Sequence, residues 1–403
     1  MRRSVLPVSL VAGLLSLACA TEDQPYQGLT GAPAGDDTTA ILVAAGAPGT
    51  PVSGLSAREL QLFNKGMAVF ATTFTQETGL GPLFNSTSCA ACHDDPTLGG
   101  YGDSAEVHVA AYHPGEKCNT LDNGGGPVVQ QHATDILIAL GILKEPDLTG
   151  YTSTALRTTP VIFGLGLLDA VPDWEIRALA RIRYPEGVHG RPANLPNGRV
   201  GRFGRKASVA SLAEFNAGAF FNEMGVTNRL NPVEGTLAGT PFEPGWDPAT
   251  DPEIDANSLA AADAFVRFLS PVAPVPNTTE RRLGEQLFAK IRCTSCHIPT
   301  LVTGRSPVRA LTGRRIRAYT DLLLHNMGPE LADICHGVAR PEEFRTQPLM
   351  GMQFLDMFMH DGLSETIPEA IQRHGGEGSA ARARFFALSE SEQAALVAFV
   401  AGL

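Results

Sequence analysis

Two pentapeptides carry the first chemistry in this 403-residue chain: Cys89-Ala-Ala-Cys92-His93 and, far downstream, Cys293-Thr-Ser-Cys296-His297. Two thiols three positions apart can each form a thioether with a vinyl group of one porphyrin. The imidazole that follows then falls beneath the ring as the proximal ligand of iron. Each pentapeptide thus reads as a covalent haem c attachment site. Other uses of paired cysteines fit less well. A redox pair gives no reason for the same His twice, and a zinc site shared by both motifs has no use for the paired His.

Attachment of haem c takes place outside the bacterial cytoplasm, and the N-terminus agrees. "MRRSVLPVSLVAGLLSLACA" has a basic start, a short apolar run and small residues at Ala18 and Ala20, so residues 1–20 read as an export signal. Cleavage after Ala20 competes with lipidation of Cys19, for which Ser16 is a poor fit. The expected location is the periplasm, or the outer surface if Cys19 is lipidated, and that lipid is the only membrane attachment expected. Residues 21–54, rich in Gly, Pro, Thr and Asp, read as a flexible leader. A net charge of −11 argues against nucleic acid and suits a basic redox partner. Of the seven cysteines, Cys118 and Cys335 remain unassigned and are available to pair.

The elements that must position the motifs repeat. "PLFNSTSCAACH" and "QLFAKIRCTSCH" both place a Phe (Phe84, Phe288) five residues before the first Cys. "RTTPVIFGLGLLDA" from Arg157 is matched by "FRTQPLMGMQFLDM" from Phe344, each ending near an Asp (Asp169, Asp356). "AFVRFL" at 264–269 matches "AFVAGL" at 398–403, both with apolar residues at helical spacing. Ser389 and Glu392 have capping-box spacing. The expected fold is mainly α: two tandem cytochrome c-like haem domains, 55–272 and 277–403, the first enlarged by insertions. The Pro-rich "SPVAPVPNTT" at 270–279 separates them. One insertion, 201–225, reads as a helix packing through Leu212, Phe215, Ala219 and Phe220. Another, "WDPATDPEIDAN" at 246–257, offers carboxylates for Ca²⁺ but lacks the regular spacing of a calcium loop, which favours a solvated loop.

From about residue 56 to 403 the chain resembles the bacterial di-haem oxidoreductase family, relatives of the di-haem cytochrome c peroxidases. The resemblance rests on "GLGPLFNSTSCAACH", "GRFGRKA", "LFAKIRCTSCH", "YTDLLLHNMGPELAD", "FRTQPLMGM" and "FMHDGLSETIPEAIQRHGG", besides the segments above. It implies that the first haem meets hydrogen peroxide or oxygen while the second relays electrons from a small redox protein, a cytochrome c or a copper protein. It also implies a sixth ligand at a fixed interval after "MHDG". That interval reaches His374, opposite His297, where the peroxidases have Met; an imidazole there lowers the expected potential. For the first haem, beneath which His93 lies, His108 is nearest the place of a displaceable ligand, with His113 and His132 as rivals. The catalytic carboxylate of the relatives maps nearest to Glu175, with Asp169 and Asp173 as rivals. Arg157 and Arg345, in equivalent repeat positions, are the expected partners of haem propionates. His360 and the four methionines of "LMGMQFLDMFM" read as structural.

The expected function is therefore that of an exported di-haem c-type oxidoreductase, peroxidase-like. The alternatives are a non-catalytic di-haem electron-transfer cytochrome and a structural or sensing module of an outer-surface assembly.

Overall fold

The computed structural model describes residues 40–403. The export signal, Cys19 and the leader as far as residue 39 lie outside the described residues. The rest of the expected leader is tied to the body. Ile41–Leu42 pairs in parallel with Arg314–Ile316, and Val52 is buried in the core. Backbone pairing of this kind leaves no side-chain pattern to read.

Two helix pairs organise the fold. Ala57–Phe70 starts in a capping box of Ser56 with Glu59 and packs on Ala256–Phe268. Thr279–Lys290 packs in the same way on Glu390–Val400, whose capping box is that of Ser389 and Glu392. Each pair crosses at a glycine. A Cβ on Gly66 would lie 1.9 Å from the Ala261 carbonyl oxygen, and one on Gly284 would lie 2.0 Å from that of Ala395. Only a residue without a side chain allows backbones so near. Aromatic rings close the crossings: Phe70 with Phe265 at 4.9 Å and Phe288 with Phe399 at 5.6 Å between centroids. The structural counterpart of Phe288 is therefore Phe70. Phe84, which the motif spacing pairs with Phe288, lies on the short strand Leu83–Phe84.

The expectation of a mainly α fold is corrected. Among the described residues ten helices are accompanied by fourteen strands. Most strands are two or three residues long, too short for a periodic signal. The longest, Gly102–Ala110, pairs with Ser153–Thr159 and Val128–Val129 in a three-stranded antiparallel sheet built on the first-half insertions. The insertion helix is Leu212–Met224, buried through Leu212, Ala217, Phe220 and Met224, while Phe215 is exposed.

Separate apolar clusters surround the two helix pairs. The larger one also takes in Leu311, Ile316, Leu323 and Met350, so the first helix pair shares its core with residues beyond 279. A disulfide joins Cys118 on an insertion to Cys335, with Cα atoms 5.7 Å apart.

Candidate haem sites

Both Cys-x-x-Cys-His motifs form a single tight turn, and both present the imidazole in the same way. His93 and His297 each donate their backbone N–H to the carbonyl of the first Cys, at 3.0 Å. The His93 ring places Nδ1 3.0 Å from the Gly100 carbonyl, and the His297 ring places Nδ1 3.0 Å from that of Tyr319. A carbonyl only accepts, so Nδ1 carries the hydrogen and the Nε2 lone pair is left for a metal. Phe70 and Phe288 stand beside the two rings, at 6.2 and 6.3 Å. Burial lowers the pKa of both imidazoles, that of His297 to about 4, which keeps them neutral and able to ligate.

The four motif cysteines form no disulfide. Burial pushes the thiols of Cys89 and Cys293 up to about 12, so they are not poised as thiolates. Among the described residues they do not gather into a metal-binding group.

The second motif opens on a cavity of about 260 Å³ whose walls include Phe288, Cys293, Cys296 and His297. His374 reaches the same cavity from the end of the helix Ile367–Gln372, which starts in a capping box of Thr366 with Glu369. Its Nδ1 lies 2.8 Å from the Ala370 carbonyl, so here too Nε2 is the free nitrogen. The four methionines of "LMGMQFLDMFM" line the cavity as well. His360 stacks on Phe344 at 4.3 Å, and its Nε2 is 3.3 Å from Asp333, which gives it a structural place.

Two of the guanidiniums that line this cavity, Arg205 and Arg345, are held by backbone and amide oxygens rather than by a carboxylate. Arg345 donates to the Gly204 and Thr346 carbonyls and to Gln347, and Arg205 donates to the Thr158 carbonyl. Burial, and then the like charge of a neighbouring arginine, lowers their pKa values, Arg345 to about 9 and Arg205 to about 10. A cavity with two uncompensated cations at its edge fits a ligand with two carboxylates, as a haem has in its propionates.

Arg157, the first-repeat equivalent of Arg345, has its Nη1 2.6 Å from Asp333, which also pairs with Lys206 at 2.8 Å, while its Nη2 is buried without a partner. The repeat of Arg-Thr-x-Pro locates the backbone correctly but cannot reveal an acid arriving from residue 333. Arg205, in the "GRFGRKA" segment, lines the cavity with Arg345, and no spacing rule would single it out.

Around the first motif, His108 lies on the strand Gly102–Ala110 with Nε2 3.0 Å from Glu106 and a buried, unpartnered Nδ1. Its rivals are exposed: His113 on a loop and His132 against Phe84. Glu106 in turn contacts Glu223, whose carboxyl is pushed well above the usual range by burial and by Glu106. Glu175 is 3% exposed on the helix Asp173–Leu179, so it is no solvent-facing helix start. Its rivals are ion-paired, Asp169 to Arg267 and Asp173 to Arg202. Trp174 is 54% exposed.

A further group lies beside Cys296. His325 holds Asp321 with Nε2 at 2.9 Å and Glu377 with Nδ1 at 2.7 Å, and Nδ1 is also 3.5 Å from the Cys296 sulfur. The i,i+4 spacing of Asp321 and His325 is visible in "YTDLLLHNMGPELAD", but Glu377 arrives from a distant segment.

Comparison with known proteins was made against families, curated proteins and solved structures. Residues 149–403 match the family described as "Di-haem oxidoreductase, putative peroxidase". No curated protein matches. Similar solved structures include the diheme peroxidase BthA from Burkholderia thailandensis E264. It is 16% identical, with 90% of this chain and 91% of that chain covered and a TM-score of 0.41. A MauG-like protein associated with microbial copper homeostasis is 17% identical, with 90% and 93% covered and a TM-score of 0.38. The hydrazine synthase of Kuenenia stuttgartiensis is 13% identical, with 98% and 100% covered and a TM-score of 0.40. The family match begins after the first haem motif and takes in the second motif, its cavity, Arg205, His325 and His374. It spans more than half of the sequence, and the chain belongs to the di-haem oxidoreductase family of peroxidase-like enzymes.

Proposed function

We propose that the chain is an exported, peroxidase-like oxidoreductase with two covalently attached haems c in tandem units, 55–272 and 277–403. Cys89 and Cys92 would hold the first above His93, and Cys293 and Cys296 the second above His297. Haem bound at the first site would supply the iron that meets hydrogen peroxide or oxygen, and haem bound at the second would relay electrons from a small cytochrome c or copper protein. Each haem, when bound, supplies an iron that takes up and releases single electrons.

The observation that carries this reading is the pair His297 and His374. Both rings line one cavity, and each commits its Nδ1 to a backbone carbonyl, leaving Nε2 as the atom that would ligate iron. Arg205 and Arg345 supply the charge that propionates require. The two sites then differ in their tasks. The second has two imidazoles, His297 and His374, that would ligate its iron. The first has His93 and, on the strand Gly102–Ala110, His108, the candidate for a displaceable ligand.

Glu175 is the group assigned to carry a proton between the two oxygens of hydrogen peroxide at the first site, through its carboxyl. Its burial supports that role. Ca²⁺ is also part of the reading. Glu234, Asp247, Asp251 and Glu253 bring one carboxylate oxygen each within 4.8 Å of one another, a hard-oxygen set of the kind Ca²⁺ takes.

Peroxide consumption by the holoprotein, with a reduced small cytochrome as donor, tests the function. Turnover is expected, and Glu175→Gln is expected to cut it by about 10²-fold while both haem spectra stay nearly unchanged. Unchanged turnover in the variant removes Glu175 from the mechanism. No turnover in the wild type with any donor leaves the electron-transfer cytochrome as the better reading.

A further inference from the structure

The Asp321–His325–Glu377 group is enclosed at the edge of the second cavity and has no role in the chemistry described above. Its side chains are 4%, 3% and 13% exposed. It is built to stay in place. The other Asp321 oxygen accepts the Leu323 N–H at 3.0 Å, and Glu377 accepts the N–H groups of His189 at 2.9 Å and Asn326 at 3.2 Å. Three segments of chain are pinned to one imidazole, 3.5 Å from the sulfur that marks one edge of the second haem site.

The charge of this group follows from counting its protons. Carboxylate oxygens accept, so a hydrogen must lie in each of the two contacts with the ring. An imidazolium between two carboxylates meets that condition, and so does a neutral imidazole between one carboxylate and one carboxylic acid. Both arrangements contain two hydrogens and carry one net negative charge. Of the other cations that line the cavity, Arg292 is exposed and Arg382 donates to the Gln372 carbonyl at an exposed site, so water screens both more than it screens this enclosed group. Arg384 is paired with Glu186. Arg205 and Arg345 face the cavity edge, where they compensate the propionates. The group therefore places one fixed negative charge against Cys296, in an enclosed setting where water screens it weakly.

We propose that the Asp321–His325–Glu377 group is an electrostatic device that holds the second haem in its ferric form, lowering its potential. A ferric haem carries one more positive charge than a ferrous one, so a nearby fixed anion favours the oxidised state. The three residues act through the haem rather than on a substrate, as positioning residues. The inference rests on the reading that the second cavity holds a haem.

The test is an optical redox titration of the holoprotein and of three variants, each first shown to retain two haems. Asp321→Asn and Glu377→Gln each remove a negative charge and keep the hydrogen-bonding shape. In both, the second-haem potential should rise and the first-haem potential should move less. His325→Gln leaves both carboxylates, so the second-haem potential should fall or stay level. Mere loosening of the site would move all three variants in one direction. A rise in His325→Gln, or no rise in either acid variant, would overturn the proposal. Should one acid variant fail to fold, the other still decides. Absence of a second haem from the wild-type protein would instead count against the functional reading itself.

Discussion

Gly284 lies against Ala395 so closely that a single added carbon would fall 2.0 Å from the Ala395 carbonyl oxygen, and the other helix pair repeats this contact between Gly66 and Ala261. An alanine in a helix is ordinarily the better residue, by up to about 1 kcal/mol. Here the obstacle is backbone, which cannot swing aside. Gly284→Ala and Gly66→Ala should each destabilise the protein by about 1–3 kcal/mol, read as a lower midpoint in denaturant. Gly218→Ala is the control. A Cβ there meets nothing nearer than Asn222 at 3.7 Å, so this change should be neutral or stabilising. Equal losses in all three variants would remove the close-crossing explanation.

His374→Ala should remove one axial nitrogen from the second haem and leave His297 in place. The expected outcome is conversion of one low-spin iron to high-spin in low-temperature EPR, with a higher potential for that haem. Two unchanged low-spin signals would show that His374 is not the ligand and would turn attention to the methionines of the same cavity.

How far the site was legible depended on how local its chemistry is. Each Cys-x-x-Cys-His motif is complete within five residues, so the common turn and ring setting of His93 and His297 was legible directly. Phe265 and Phe399 were recognisable as counterparts because their helices keep the same apolar spacing to the end. The partner of Phe288 was misread as Phe84 because a loop separates the Ala57–Phe70 helix from the first motif, a separation the second half lacks. Arg157 and Arg345 share a backbone setting, yet Asp333 reaches only the former, and an ion pair across so long a stretch of chain has no signature in sequence. The same holds for Glu377, which meets His325 only through folding. Strands of two residues left no pattern, and the α content was therefore overestimated.

The acidic group around Glu234 predicts a linked response to pH and cation. Burial first, then Glu253 and Asp247, pushes the Glu234 carboxyl up to about 9, so the folded state favours its protonated form. A raised pKa gives stability that is complete below the ordinary carboxylate range and is lost as pH rises towards about 9. Calcium neutralises the charge that appears on this climb. After chelation, the thermal midpoint should fall between pH 6 and 8. Burial also pushes Glu253 up to about 7, so millimolar Ca²⁺ should restore more of the thermal midpoint at pH 8 than at pH 6, and replacing Glu234 and Glu253 together by Gln should shrink the difference. A calcium response of undiminished size in that variant would place the ion elsewhere.

The intact mass of the exported protein after full denaturation bears most directly on the central claim. Two haems held by thioethers should remain on the chain and add the mass of two haem groups. Replacing Cys293 and Cys296 by Ala should remove one of them, and replacing Cys89 and Cys92 the other. A denatured chain with no haem mass, or one that keeps two haems after either replacement, would contradict the account.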